Sequence, residues 1–151
     1  MITKLTIPIE PKPQTRPKFS KFGTYEDPKM KAWRKSCTYL VKSLWKAEKI
    51  EGAIEVNVAF YMKAPQAISK KPTPRARPET WAKWKKFENE EILHTKKLDL
   101  DNLIKSLFDS ITDSGIVWND DGQVCRINAK KVYSPNPRIE VDIKNYDDIH
   151  S

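Results

Sequence analysis

Lys97-Leu98-Asp99-Leu100-Asp101-Asn102-Leu103-Ile104-Lys105 sets two carboxylates two positions apart at the head of an apolar-periodic run. From there, Leu103, Ile104, Leu107, Phe108 and Ile111 fall on the stripe of an amphipathic helix. Asp101 or Asn102 is expected as its N-cap. Asp99, Leu100 and Asp101 would then lie on an extended approach, where period-two alternation points both carboxylates to one side. Lys105 sits one helical turn beyond Asp101 and within its reach. The helix N-terminus adds a potential favourable to carboxylates or to a phosphate.

A second acidic pair, Asp120-Asp121, follows the helix stop at Ser114-Gly115 and the short apolar run Ile116-Val117-Trp118. Hard divalent cations such as Mg²⁺ take oxygen ligands and keep several waters, so a few convergent carboxylates suffice. Cutting a phosphodiester needs an activated water and stabilised charge on the phosphate and leaving oxygen, which one or two such ions provide. Lys105 is placed to hold the phosphate or to neutralise charge developing on it. The bland alternative stays open: aspartates cap helices, and Asp-Gly makes turns.

Composition bounds the class. The chain has 151 residues, enough for one domain with a real core, with 38% hydrophobic and 32% charged residues. Mean hydropathy is −0.69. No apolar run approaches the ~20 residues of a membrane span, and the N-terminus lacks a secretory h-region. A cytoplasmic protein is expected. Cys37 and Cys125 make neither a disulfide framework nor a zinc site, and both read as buried thiols. His94 and His150 are too few and too scattered for a histidine-based metal site. The net charge is +8 and unevenly spread: residues 1–50 hold 12 basic and 4 acidic side chains, residues 98–151 hold 6 and 10. A basic surface around a local acidic pocket suits a polyanionic substrate cut with a metal ion.

Leu5, Ile7 and Ile9 alternate, so residues 2–10 read as the first strand. In residues 11–23 three prolines exclude regular pairing, while basic residues (Arg16, Lys18, Lys21) interleave with Phe19 and Phe22. That mixture suits gripping a nucleic-acid backbone and stacking on bases; an exposed loop with its aromatics tucked into the core is the even alternative. Pro28 opens a long helix with Trp33, Cys37, Leu40, Leu44 and Ala47 on its core face. Ile54, Val56, Val58, Phe60 and Met62 alternate as the clearest strand. Residues 64–78 form a mobile Pro-rich basic loop carrying Lys70, Lys71, Arg75 and Arg77. Glu79 to Glu91 is helical, with Trp81, Trp84 and Phe87 on its core face or partly exposed to DNA, and Lys96 and Lys97 lead into Asp99. Two late strands carry Cys125, Ile127, Ala129 and Ile139, Val141, Ile143, with residues 144–151 as a loose tail. The expected fold is α+β: one domain over 1–151, a mixed β-sheet packed with helices.

The Lys97–Lys105 segment, followed by Gly115-Ile116-Val117-Trp118-Asn119-Asp120-Asp121-Gly122-Gln123-Val124, resembles the RusA family of Holliday junction resolvases. That family carries a K-P-D-x-D-N-x-x-K segment and then a G-[IV]-[VWY]-x-D-D-x-Q-[IV] segment. Arg16-Pro17-Lys18-Phe19 is similar to its R-P-R-F-like segment. The likeness runs from about residue 7 to 143, and Leu98 departs from it where proline is usual.

The resemblance implies Asp99, Asp101 and Asp121 as the metal-binding carboxylates, Asp120 as a further ligand, and Lys105 as the catalytic lysine. It implies Mg²⁺ or Mn²⁺ as cofactor, and a homodimer making paired symmetric nicks in four-way DNA junctions during recombination and repair in the bacterial host cytoplasm. It also implies encoding by a phage or prophage. Arg16, Lys18, Lys21, Lys70, Lys71, Arg75, Arg77, Lys96 and Lys97 form the expected DNA surface. A branched-DNA or flap nuclease, a non-catalytic DNA-binding protein, and another D-x-D metal enzyme such as a phosphatase are the rival classes.

Overall fold

Apolar residues at every second position build the strands, and at every third and fourth the helices. The computed structural model describes residues 2–150, so Met1 and Ser151 lie outside the described residues. In chain order come β1 (Ile2–Ile7), β2 (Lys18–Ser20), β3 (Gly23–Tyr25), α1 (Pro28–Leu44), β4 (Ile54–Met62), α2 (Gln66–Ser69) and α3 (Pro78–Glu88). Then follow α4 (Leu100–Ser114), a 3₁₀ turn (Asp121–Gln123), β5 (Val124–Tyr133), β6 (Arg138–Asn145) and α5 (Tyr146–His150). The fold is α+β, as expected.

The main sheet has the order β1-β6-β4-β5. β1 and β4 flank β6 in antiparallel fashion, and β5 runs parallel to β4. Register stacks the apolar positions into rows: Leu5, Val141 and Val58 in one, Ile7, Ile139 and Phe60 in the next, all buried. Both long helices contribute to the same core. α1 buries Met30, Cys37 and Val41, and α4 buries Leu103, Leu107 and Ile111 with no exposed surface. They meet at small side chains, where the Thr38 hydroxyl donates to the Ser110 carbonyl at 3.3 Å. The opposite sheet face carries Lys4, Thr6, Asn57, Lys130, Glu140 and Asp142 and is open to solvent, the one-sided burial usual for antiparallel strands.

Several expectations change. Residues 18–25, expected as irregular, form a two-stranded hairpin, because the last of the three prolines, Pro17, precedes the first paired residue, Lys18. Its aromatics are not tucked into the core: Phe19 is 83% and Phe22 89% exposed. The basic loop contains the short helix α2. Leu44 is exposed and Ala47 falls beyond α1; Met30 and Val41 take the core positions instead. Cys37 is buried, and burial pushes its thiol up to about 11 against a hydrogen bond with Ser110. Cys125 is exposed, contrary to expectation, and Ile127 is 43% exposed. Both lie on β5, the edge strand of the sheet, and the pairing with β4 skips Cys125 at a register shift opposite Ile54 and Glu55. Within the described part of the tail, residues 144–145 complete β6, and α5 stacks the Tyr146 and His150 rings 4.2 Å apart.

His94 sits buried against Tyr133, ring centroids 4.8 Å apart, with Nδ1 lacking a hydrogen-bond partner. Burial, then the Lys131 charge, hold its pKa below the usual imidazole value. Protonation therefore favours the unfolded chain: the stability tied to neutral His94 is complete above an unfolded pKa of about 6.5 and is lost as pH falls through the lower folded value. The melting temperature should drop more for the native protein than for His94→Phe as pH is lowered from about 7 to about 5. Parallel pH curves for the two would contradict this.

Candidate functional site

The N-cap of α4 is Asp99, not Asp101 or Asn102. Its carbonyl accepts from the Asn102 and Leu103 amides at 3.1 and 3.2 Å. Its carboxylate makes no capping hydrogen bond, so it remains available to another partner. Asp101 lies in the first helical turn rather than on an extended approach, exposed to solvent. The two acids are thus presented from the helix N-terminus, where the unpaired amides favour negative charge.

The turn before Asp99 is strained. Leu98 has φ of 97°, which for a leucine costs on the order of 1–3 kcal/mol. Lys131 of β5 holds it there, its ammonium donating to the Leu98 carbonyl at 2.5 Å and the Lys96 carbonyl at 3.2 Å. A proline, locked near φ of about −65°, cannot adopt this conformation. Lys131 is a positioning residue that local spacing does not reveal.

The second acidic pair is fixed from beneath. Trp118 is fully buried; its indole N–H donates to the Thr112 hydroxyl at 2.8 Å, and its ring meets Phe108 edge-on at 5.3 Å. Asp120 then caps the 3₁₀ turn, accepting from the Gly122 amide at 3.1 Å. A Cβ at Gly122 would stand 2.6 Å from Asp120 Oδ2, so any larger residue there would have to push that carboxylate aside. The Gln123 side chain closes the box: Oε1 accepts from the Asn119 and Asp120 amides at 2.7 and 3.1 Å, and Nε2 donates to the Ile50 and Gly52 carbonyls at 3.1 and 3.0 Å. One Asp120 oxygen is thereby committed to the turn.

Arg34, Asp109, Thr112, Asp113, Asp120 and Asp121 line one open cleft of about 360 Å³. Asp101, Lys105 and Asp109 follow one another at four-residue spacing on α4, one stripe along the helix. Burial pushes the Asp109 carboxyl above the ordinary range; Lys105 and Arg34 oppose the rise, and Asp121 and Asp113 add to it. Asp109 therefore feels the acidic turn through Asp121, its helix neighbour Asp113, and the lysine. Arg34 pairs with Glu26 at 2.7 Å and Asp113 at 3.5 Å. Asp99 and Asp101 do not line this cleft. Arg34, Asp109 and Asp113 were not foreseen; Asp109, four residues past Lys105, was readable from helical spacing.

Among the described residues no three His, Cys, Asp or Glu side chains converge into a ready metal cluster. The donor set nevertheless fits a hard cation: it is all oxygen, and Asp99 has no capping bond. An ion that keeps several waters needs few protein ligands.

The basic candidates are all exposed. Arg16, Lys18 and Lys21 lie exposed on the β2–β3 hairpin and its approach. Lys70, Lys71, Arg75 and Arg77 are exposed around α2 and the turn before α3, and Lys96 and Lys97 precede Asp99. Trp84 is tied down by its indole N–H to the Ser69 carbonyl at 3.4 Å and by Trp81 edge-on at 5.8 Å, and Phe87 is buried. That aromatic face therefore packs α3 against α2 and the core.

The profile of the family described as Endodeoxyribonuclease RusA matches residues 8–144. The chain is 30% identical over 145 residues to the uncharacterized protein YqaN of Bacillus subtilis (strain 168), covering 93% of this chain and 94% of that protein.

Gln123→Ala should lower stability by ~1–3 kcal/mol, since it leaves the Ile50 and Gly52 carbonyls and the Asp120 amide without their partner. Chemical denaturation reads this directly. An unchanged unfolding midpoint would show that Gln123 does not hold the acidic turn.

Proposed function

The chain belongs to the RusA endodeoxyribonuclease family, and we propose that it acts as a divalent-metal-dependent homodimer resolving four-way DNA junctions by paired symmetric nicks. One observation carries this reading: Lys105 lies on one helical stripe between Asp101 and Asp109, and Asp109 in turn responds to the charge of Asp121. A lysine flanked by carboxylates of one helix, with a second acidic segment close enough to influence them, suits metal-assisted hydrolysis of a phosphodiester.

Asp99, Asp101 and Asp121 would hold Mg²⁺ or Mn²⁺, with Asp120 keeping the turn and offering its second oxygen. When bound, the ion supplies an acidified water and charge neutralisation at the phosphate. Lys105 contributes its ammonium to a non-bridging oxygen of the scissile phosphate, where negative charge grows in the transition state. The helix N-terminus at Asp99 places further positive potential at the same point. Arg16, Lys18, Lys21, Lys70, Lys71, Arg75, Arg77, Lys96 and Lys97 grip the flanking phosphates, so binding weakens as salt rises.

A four-way junction has two-fold symmetry, and an isologous dimer matches it by presenting one site to each of two opposed strands. Among the described residues no helix is long and apolar enough to cross a membrane, and action on DNA in the bacterial cytoplasm suits the basic surface. The same chemistry would serve recombination and repair in a phage or its host.

Asp101→Asn should abolish cutting while the protein still binds a junction in EDTA. Lys105→Ala should lower kcat by ~100-fold or more with little change in KM, the pattern of a group that acts in the transition state. Single-turnover cleavage of a labelled junction measures both. An Asp101→Asn protein that cuts at the native rate would refute the assignment of the carboxylates.

A further inference from the structure

We propose that the β2–β3 hairpin is a base-stacking wedge, in which Phe19 and Phe22 stack on bases exposed at a DNA branch point while Arg16, Lys18 and Lys21 hold the adjoining phosphates. This rests on the reading of the chain as a nuclease of branched DNA and adds the element that would recognise the branch.

The hairpin has no internal reason to display these rings. All six of its strand residues are exposed, and Phe19 at 83%, Phe22 at 89% and Tyr25 at 49% contribute nothing to the core. Three large aromatics left in water on one small element mark an interaction surface. A two-stranded hairpin of this size is not stable by itself; it stands because its root is clamped. The Trp33 indole N–H donates to the Glu10 carbonyl at 2.8 Å, the Ser106 hydroxyl donates to the Lys12 carbonyl at 2.5 Å, and the Gln14 amide donates to the Asn102 carbonyl at 2.9 Å. Asn102 follows directly on Asp101. The last two bonds therefore fix the approach to the hairpin to the first turns of α4, where the two acids of the candidate site begin.

Charge selects the occupant. Residues 11–25 carry Lys12, Arg16, Lys18 and Lys21 and no acidic side chain. Among the described residues Arg16, Lys18 and Lys21 form no ion pair. A partner that stacks on aromatic rings and carries dense negative charge beside each ring is a nucleic acid. The Lys21 ammonium stands 5.1 Å from the centre of the Phe22 ring, so a base stacked on Phe22 brings its own phosphate close to that charge. Bases in a continuous duplex have both faces covered, whereas those bordering a branch lose a stacking neighbour. Stacking tolerates any base, so the wedge recognises the branch rather than the sequence.

The experiment is a binding titration in EDTA, with a fluorescently labelled four-way junction and a linear duplex of the same sequence, on the native protein and Phe19→Ala/Phe22→Ala. The double variant should melt with the native protein. It should bind the junction more weakly by about 5- to 150-fold for each stacked base lost, bind the linear duplex as before, and recover affinity when position 22 becomes Trp. Equal junction affinity in the double variant overturns the wedge, as does an equal loss on the linear duplex. Dissociation of a native dimer by the same substitutions also overturns it and assigns the rings to a second copy of the chain. Native protein that binds the junction through these rings but never cuts it with Mg²⁺ leaves the wedge standing and refutes the nuclease reading. A native protein that cuts junctions while the variant binds them unchanged does the reverse.

Discussion

The seating of Trp118 is the constraint on which the site depends. A fully buried indole ties its N–H to Thr112 and its edge to Phe108, both on α4. Asn119, Asp120 and Asp121 leave directly from that anchor, so the acidic turn cannot drift away from the helix that carries Lys105 and Asp109. α4 itself is held by Leu103, Leu107 and Ile111, wholly buried between α1 and the sheet. Truncating such side chains costs ~2–5 kcal/mol each, and any tilt of the helix would move its outward stripe of charges. The core is thus the device that sets the geometry of the surface acids.

Electrostatics sorts the remaining parts. The chain carries a net charge of +8, yet Asp109, Asp113, Asp120 and Asp121 share one cleft with Arg34. Concentrated negative charge is unfavourable without compensation, and Asp109 records this through its raised carboxyl, with burial as the leading cause. Arg34 compensates on one side and Lys105 on another. Under the proposed function, a cation held at Asp121 would compensate this charge further. Under the proposed function, the exposed lysines and arginines would supply the surface that meets a polyanion, and their field would raise its local concentration.

Much of this was legible because it was local. The stripe of α4, the alternation in β4 and β6, and the stop at Gly115, which adopts φ of 72°, follow from short-range periodicity and backbone preference. The acids and Lys105 stood in a pattern that resembled a known family, and the match over residues 8–144 agrees with it. The errors were those of competing local choices. Asp99, Asp101 and Asn102 are all good caps, and in the fold the Asp99 carbonyl takes the first helical hydrogen bonds, from Asn102 and Leu103. Three prolines argued against pairing, yet two strands of three residues fit just after Pro17. Cys125 and Ile127 follow the alternation of a core strand, but only the sheet order shows that β5 is an edge. Lys131, Arg34 and Gln123 act across 33 to 79 residues of sequence, at Leu98, Asp113 and Ile50 among others, beyond the reach of any spacing rule.

The most direct measurement is cleavage of a mobile four-way DNA junction beside a linear duplex and a flap, each with Mg²⁺ and with EDTA. Paired nicks on opposed strands of the junction, dependent on the metal and absent from the duplex, are the expected result. Binding of the junction without any cutting in Mg²⁺ or Mn²⁺ would contradict the account.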